Sequence, residues 1–406
     1  KHQNHRPQAA SALADPDGVG DAVAEAIDNL SERRGATREA ALRSIAEALR
    51  RYSPVVEAVL ERFEETLCDH LMAALKRGGQ EGALASHVLA ILFLFGSTPG
   101  ALYRRAAPKL KLVAARQPTK KGRRCDESIA ALTTLAVGCL THAEEDSGED
   151  VDAALDFLAD VVEGEAEDLV MPDEVRTAAL DAWGLVATCL SSAARLQRSE
   201  RVLPFLLHSL ETLPGGGTDS LELLSMCGET AALVYEALLE SQSDAVESVA
   251  EVASGDEETW DRVREMFKER SRESSKKMSK QAKKEQHTLF RQLLGFMNDG
   301  DLPETRVCFG EGRQLDVTTW AGKKRLRSLR TCLQGGLPTH LAENPCMSQI
   351  FAEFWDEFGE DAAQGDRDDY FGGSKQHTVM RDRDRAMRQR EKDSFFHSEN
   401  VAQDDY

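Results

Sequence analysis

Four residues near the end of this 406-residue sequence have the right types to bind a metal: Cys308, Cys332, His340 and Cys346. Zinc takes Cys and His ligands in tetrahedral cages whose members come in closely spaced pairs. No C-x-x-C pair occurs among the eight cysteines, and these spacings suit none of the short-loop cages. The expectation is buried thiols and a structural His340 that bonds a backbone group near the Gly335-Gly336 turn, with no metal. Other constellations are also missing. There is no Walker A loop, no G-x-G-x-x-G after a strand and no H-E-x-x-H. Pro214-Gly-Gly-Gly217 lacks the Lys-Ser/Thr that would follow a phosphate cradle, and no Ser/His/Asp set stands out. No enzyme activity, cofactor or small-molecule substrate is expected.

Phosphate binding is the chemistry the residues do offer. Arg104, Arg105, Lys109, Lys111, Lys120, Lys121, Arg123 and Arg124 lie in a stretch without a single acid. Lys276, Lys277, Lys280, Lys283 and Lys284 form a second cluster, and Lys323, Lys324, Arg325 and Arg327 a third. A tail adds Lys375, Arg381, Arg383, Arg385, Arg388, Arg390 and Lys392. The chain as a whole has a net charge of -20 and a pI near 5.0, so it is no general nucleic-acid coat. Segregated basic clusters on an acidic chain imply an oriented field. Lys and Arg hold phosphates by Coulomb attraction and counterion release, which makes RNA or a nucleoprotein the expected partner. The acidic stretch Glu144 to Asp168 reads as a solvated face.

These clusters need elements to position them. Hydrophobic residues make up 41% of the chain, enough for a sizeable core. The longest apolar run, Val88 to Phe95, is far shorter than the ~20 residues that span a bilayer. Thr37 to Leu49 has apolar positions at Ala41, Leu42, Ile45, Ala46 and Leu49, a helical period with Thr37 as its expected N-cap. Val55 to Lys76 and Gly82 to Phe95 read as further helices, the latter apolar all round and therefore central. Ala130 to Leu140, Ala178 to Leu190 and Gly228 to Leu238 then repeat one apolar pattern at offsets of about 50 residues, close to the period of HEAT and armadillo units. The expected fold is all-α: a HEAT/armadillo-like α-solenoid over 21–260, following a disordered segment over 1–20. A basic linker or exposed helix without a core stripe follows over 261–285, then a small α+β C-terminal module over 286–358. In that module Thr305–Phe309 and Arg313–Val317 read as a hairpin and Trp320–Leu333 as a helix stopped at Gly335-Gly336. Residues 359–406 read as an acidic linker and a basic tail without a core, disordered alone. Residue 1 is Lys rather than Met, so the native start is expected to lie upstream; no signal peptide is visible. The scattered cysteines fit a reducing compartment, cytosol or nucleus.

The C-terminal module also resembles the interferon-related developmental regulator family. Lys283, Lys284, Gln286, Phe290 and Arg291 match a Lys-rich run leading into a Phe-Arg pair. Val307, Phe309 and Gly310 match a Val-x-Phe-Gly strand, and Trp320 a tryptophan after a short second strand. Gly336, His340, Leu341, Asn344, Ile350 and Phe351 match a Gly-His-Leu-Asn signature ending in Ile/Val-Phe. Gln334 stands where the family has its first glycine, and Ser348-Gln349 where it tends to have Arg-Asp. The resemblance implies one of two roles, neither catalytic. One is a cytoplasmic repressor of translation, bound to RNA and proteins of both ribosomal subunits. Its helical body crosses the tRNA sites and its basic C-terminal helix enters the mRNA channel. The other is a nuclear co-regulator that binds transcription regulators as a scaffold. The first is the leading expectation, for a monomer without membrane attachment.

Overall fold

The computed structural model describes residues 18–95, 99–116, 125–143, 148–164, 171–213, 218–243, 256–272, 279–310 and 312–355. The first segments fold as helix after helix: α1 (Val19–Asn29), α2 (Gly35–Arg50), α3 (Pro54–Arg77), α4 (Gly79–Leu92), α5 (Pro99–Ala114), α6 (Asp126–His142), α7 (Glu149–Glu163) and α8 (Asp173–Ala187). Two short helices, α9 (Ser192–Ser199) and α10 (Leu203–Thr212), precede the long α11 (Thr218–Ser243). The three repeated apolar patterns become α6, α8 and α11, and these pack side by side in chain order after α4. Each is paired with a more amphipathic partner: α3 with α4, α5 with α6, α7 with α8. That is the HEAT/armadillo-like solenoid the repeat predicted. The inner helices are apolar on nearly every face because each has neighbours on both sides; Ala131, Leu132, Leu135, Ala136, Val137 and Cys139 of α6 are all fully buried. Close approach needs small residues. A Cβ at Gly138 would stand 2.7 Å from Tyr103 and 2.8 Å from Phe93.

Local signals set the helix ends. Ser53 caps α3 by accepting from the Val56 amide, with Pro54 at the first helical position. The expected Thr37 cap is corrected: the cap position lies three residues earlier at Arg34, which makes no side-chain bond, α2 starts at Gly35, and Thr37 lies in the first turn. The central helix begins at Gly79 rather than Gly82, because Gly78, at φ 76°, makes the turn out of α3.

The expected linker is also corrected over its first part. Residues Glu257–Arg272 form α12, and it does carry a core stripe: Trp260, Val263, Met266, Phe267 and Arg270 are buried. It packs on α10 and on α13 (Lys280–Asp299). The hairpin β1 (Thr305–Phe309) and β2 (Arg313–Val317) is antiparallel, with Val307 opposite Leu315 and Phe309 opposite Arg313. Then come α14 (Trp320–Leu333), a 3-10 turn at Gln334–Gly336, α15 (Leu337–Glu343) and α16 (Pro345–Ile350). This C-terminal module does not stand apart from the repeats. Helix α14 packs against α8, α11, α6 and α4, and the turn after it packs on α2, so the chain is one compact unit through Phe351. A second unit starts at Ala352, and its described part is a 3-10 turn, Ala352–Phe354.

Candidate nucleic-acid interface

Of the basic residues singled out in the sequence, Lys120, Lys121, Arg123, Arg124, Lys276, Lys277 and the tail cations Lys375, Arg381, Arg383, Arg385, Arg388, Arg390 and Lys392 lie outside the described residues. The rest divide into three groups.

On α5, three of four cations are held by neighbouring repeats. Arg104 donates to Asp150 at 3.4 Å, and Arg105 pairs with Asp69 and Glu65 of α3. Lys111 donates to the Ala153 carbonyl at 2.8 Å and lies over the Phe157 ring. Lys109 is half-buried and has no partner among the described residues. This face is therefore partly neutralised, although exposed ion pairs of this kind are weak enough to exchange for phosphate.

On α13 the cations are free. Lys280, Lys284 and Arg291 stand at i, i+4 and i+11, so they share one stripe, with Lys283 beside it. Lys280, Lys284 and Arg291 are exposed, and none of the four has an ion-pair partner among the described residues. The opposite face is anchored: Phe290 is fully buried against Phe267, ring centroids 5.5 Å apart. Gly228 of α11 gives α13 room, since a Cβ there would meet Leu293 at 2.8 Å.

On α14 the expectation of an exposed ridge is corrected. Lys324 is buried, its ammonium 2.5 Å from the Asp181 carboxylate of α8. Arg325 donates to the Thr188 hydroxyl at 3.1 Å, the Thr188 carbonyl at 2.6 Å and the Ile350 carbonyl at 3.2 Å. Arg327 pairs with Glu229 of α11 and, at 3.2 Å, with Asp181. Lys323 lies over its neighbour Trp320, 4.3 Å from the ring centroid, and burial lowers its pKa. The physical reason is charge matching: the row of apolar helices carries acids where α14 crosses it, and a buried cation needs such a partner.

The start of α14 is fixed the same way. Glu236 of α11 accepts the Trp320 amide at 2.7 Å and the Ala321 amide at 2.9 Å, while Thr319 accepts the Gly322 amide at 2.9 Å. Three otherwise orphaned helix donors are thereby satisfied. Burial, and then the Glu240 charge, raise the Glu236 pKa to about 7; the two amides oppose this.

The signature residues form a clamp between the two ends of the compact unit. His340 is fully buried, with Nε2 3.0 Å from the Leu49 carbonyl and Nδ1 3.0 Å from Asn344. These partners assign the tautomer: Nε2–H donates to Leu49, and Nδ1 accepts from the Asn344 amide. Burial lowers the His340 pKa to about 4, against the raising effect of the Leu49 and Arg50 carbonyls. Asn344 also donates to the Leu94 carbonyl at 3.0 Å and accepts the Cys346 amide at 2.9 Å. Gly336 sits so close to α2 that a Cβ would stand 1.9 Å from the Arg50 carbonyl oxygen, which only glycine allows. The backbone partner expected for His340 near the Gly335-Gly336 turn is thus Leu49, next to the residue that Gly336 touches. Leu341 and Phe351 are buried, and Phe309 and Gly310 hold the end of β1, where Arg313 lies over the Phe309 ring. Both nitrogens of His340 are occupied, and among the described residues no three His, Cys, Asp or Glu gather as metal ligands. Burial pushes the Cys227 and Cys332 thiols up to about 12 and those of Cys68 and Cys189 to about 11, so they behave as small apolar side chains. No helix among the described residues is long and apolar enough to cross a membrane.

Sequence reasoning missed Asp181, Glu229 and Glu236. A signal was there: each is an acid within an apolar helical run, as in Ala178-Ala-Leu-Asp181-Ala-Trp, where a carboxylate must find a partner.

A helical-repeat scaffold crossed by one basic helix and latched at Leu49 by a histidine is what fold and site define. Residues 7–298 match the interferon-related developmental regulator family. The chain belongs to that family. It is 28% identical over 338 residues to mouse interferon-related developmental regulator 2, covering 80% of this chain and 71% of the relative. It is 25% identical over 337 residues to rat interferon-related developmental regulator 1, covering 80% and 70%.

Proposed function

We propose that this protein is a non-enzymatic ribosome-binding repressor of translation. The observation that carries the reading is the α13 stripe of Lys280, Lys284 and Arg291, exposed and without ion-pair partners among the described residues, with half-buried Lys283 beside it, on a chain whose other described basic runs are largely paired. Such a stripe meets phosphates without first breaking internal ion pairs. Family membership supports the same reading through the ribosome-bound role that the sequence resemblance implies. In this reading the helical body lies across the tRNA sites and makes contact with RNA and proteins of both subunits. The tail from Arg381 to Lys392 then enters the mRNA channel, its Arg forks pairing with phosphates. The protein acts in the cytoplasm.

Sedimentation with purified ribosomes over a salt series tests this. Neutralising about five to eight phosphates gives a log–log affinity slope of roughly -4 to -7. Truncation after Gly373 should abolish repression in a reporter translation assay while the protein still pellets with ribosomes. A salt-independent interaction, or absence from ribosomes at low salt, would overturn the reading in favour of a nuclear protein-binding scaffold.

A further inference from the structure

A cleft of about 260 Å³ opens between the first half of α3, the segment after α4 and the start of α16. Its floor is apolar and aromatic: Leu60, Leu94, Tyr52 and Phe95, the two rings tilted with centroids 5.0 Å apart. One wall is acidic. Glu57, Glu61 and Glu64 stand at i, i+4 and i+7 on α3 and so share one face above that floor. Glu61 and Glu64 have no cation partner among the described residues; the nearby Arg62 lies over the Phe63 ring instead. Asn344, at the other side, has its amide committed to the Leu94 carbonyl and to His340 and its oxygen to the Cys346 amide, so it does not offset the carboxylates.

Size and charge together select an occupant. Sites for whole small molecules run to about 300–1,000 Å³, so this cleft takes one or two side chains rather than a cofactor. Three carboxylates repel phosphate and exclude nucleic acid. A cation with an apolar stem meets every surface present. Arginine lays its methylenes on Leu60 and Leu94, stacks its guanidinium on aromatic faces and pairs two N–H groups with a carboxylate. Lysine, a compact and strongly hydrated charge, uses less of the aromatic floor. We infer that this cleft docks an arginine-bearing peptide segment of a partner protein, with a leucine-sized residue beside the arginine. Its charge is opposite in sign to that of the α13 stripe, so the protein has one face for phosphates and another for basic protein. The inference stands whether or not the ribosome is the partner of α13.

Fluorescence anisotropy of the full chain with a short fluorescein-labelled Leu-Arg-Leu-Arg peptide tests it. The double variant E61Q/E64Q removes two carboxylates from the wall. E257Q/E258Q removes two exposed carboxylates from the start of α12, so the net charge changes equally. The cleft variant should bind about 10-fold more weakly, equivalent to about 1.4 kcal/mol. The control should stay within about twofold, the size expected of screened surface charges. A Leu-Lys-Leu-Lys peptide should bind more weakly than the arginine peptide, and a single-stranded RNA oligonucleotide should not displace it. Equal weakening in both variants would mean generic attraction to an acidic protein and would overturn the assignment. So would displacement by RNA, or no saturable binding.

Discussion

Lys280 and Lys284 of α13 end in solvent, whereas Lys324 and Arg325 of α14 end on a buried carboxylate and on backbone carbonyls of other helices. Both helices are basic, both lie in the C-terminal third, and both follow a segment rich in Lys and Arg or a short hairpin. What separates them is what they cross. Helix α13 packs on α12 and α11 with an apolar face and leaves its cations outward. Helix α14 crosses the row of apolar helices where Asp181, Glu229 and Glu236 are waiting. A basic run is therefore a free surface or a structural bolt according to acids 84 to 143 residues away, such as Asp181, 143 residues before Lys324.

The sharpest way to break this comparison is Asp181→Ala. It leaves the buried Lys324 ammonium with no carboxylate, and loss of one partner of a buried pair costs about 3–5 kcal/mol. Asp181 retains 29% side-chain exposure, so the lower end, about 3 kcal/mol, is expected in urea denaturation. The α13 stripe, and the ribosome association proposed for it, should persist at temperatures where the variant remains folded.

The second effect concerns pH. Glu236 keeps its proton in the folded chain up to about 7, against an ordinary value of 4.5. The folded pKa is the higher one, so the associated stability is full below about 4.5 and is lost as pH rises toward 7. The loss is on the order of 3 kcal/mol. Glu236→Gln should remove this fall from the stability–pH curve, read as urea midpoints at steps between pH 4.5 and 7.5. His340 works in the other direction. Its folded pKa lies below the usual 6.5, so its contribution is full above 6.5 and is lost as pH falls toward 4. What Glu236→Gln leaves behind should therefore be a stability that only rises with pH across that range.

The smallest effect on folding, and the converse of the first, is expected for Lys280→Ser with Lys284→Ser. Exposed side chains without partners should change stability by about 0.5 kcal/mol or less. The proposed ribosome association should nevertheless weaken, with the salt slope reduced by about 1.5 for two lost phosphate contacts. If stability fell as far as for Asp181→Ala, α13 would be a bolt as well and the contrast would dissolve.

The sequence made the helical repeats, the hairpin and the bounds of α14 legible, because each is written in local periodicity or turn chemistry. Thr305–Phe309, Arg313–Val317 and Trp320–Leu333 fall where the pattern put them. The α12 stripe was missed because Trp260, Val263 and Phe267 are outnumbered by charges on a helix whose buried face is narrow and ends in Arg270, which caps the Leu210 carbonyl. The fate of the α14 cations was not legible from α14 itself. Their spacing on the helix is the same whether they face water or acid, and only the packing of α14 across α8 and α11 decides. His340 was legible as structural; that its partner would be Leu49, 291 residues away, was not.

The clamp at Leu49 also sets a clock on how the protein comes into being. Chains are made at ~5–20 residues per second, so the 291 residues between Leu49 and His340 take about 15 to 60 s to appear. Until then the Leu49 carbonyl has only its local bond from the Tyr52 amide at 3.3 Å, the Leu94 carbonyl lacks the Asn344 amide, and Tyr52 and Phe95 lack the imidazole that completes their stack. The first repeats leave the ribosome long before the residues that seal them. A nascent chain halted between α13 and α15 would carry a nearly complete row of repeats with its oldest part still open, a natural place for a chaperone to wait.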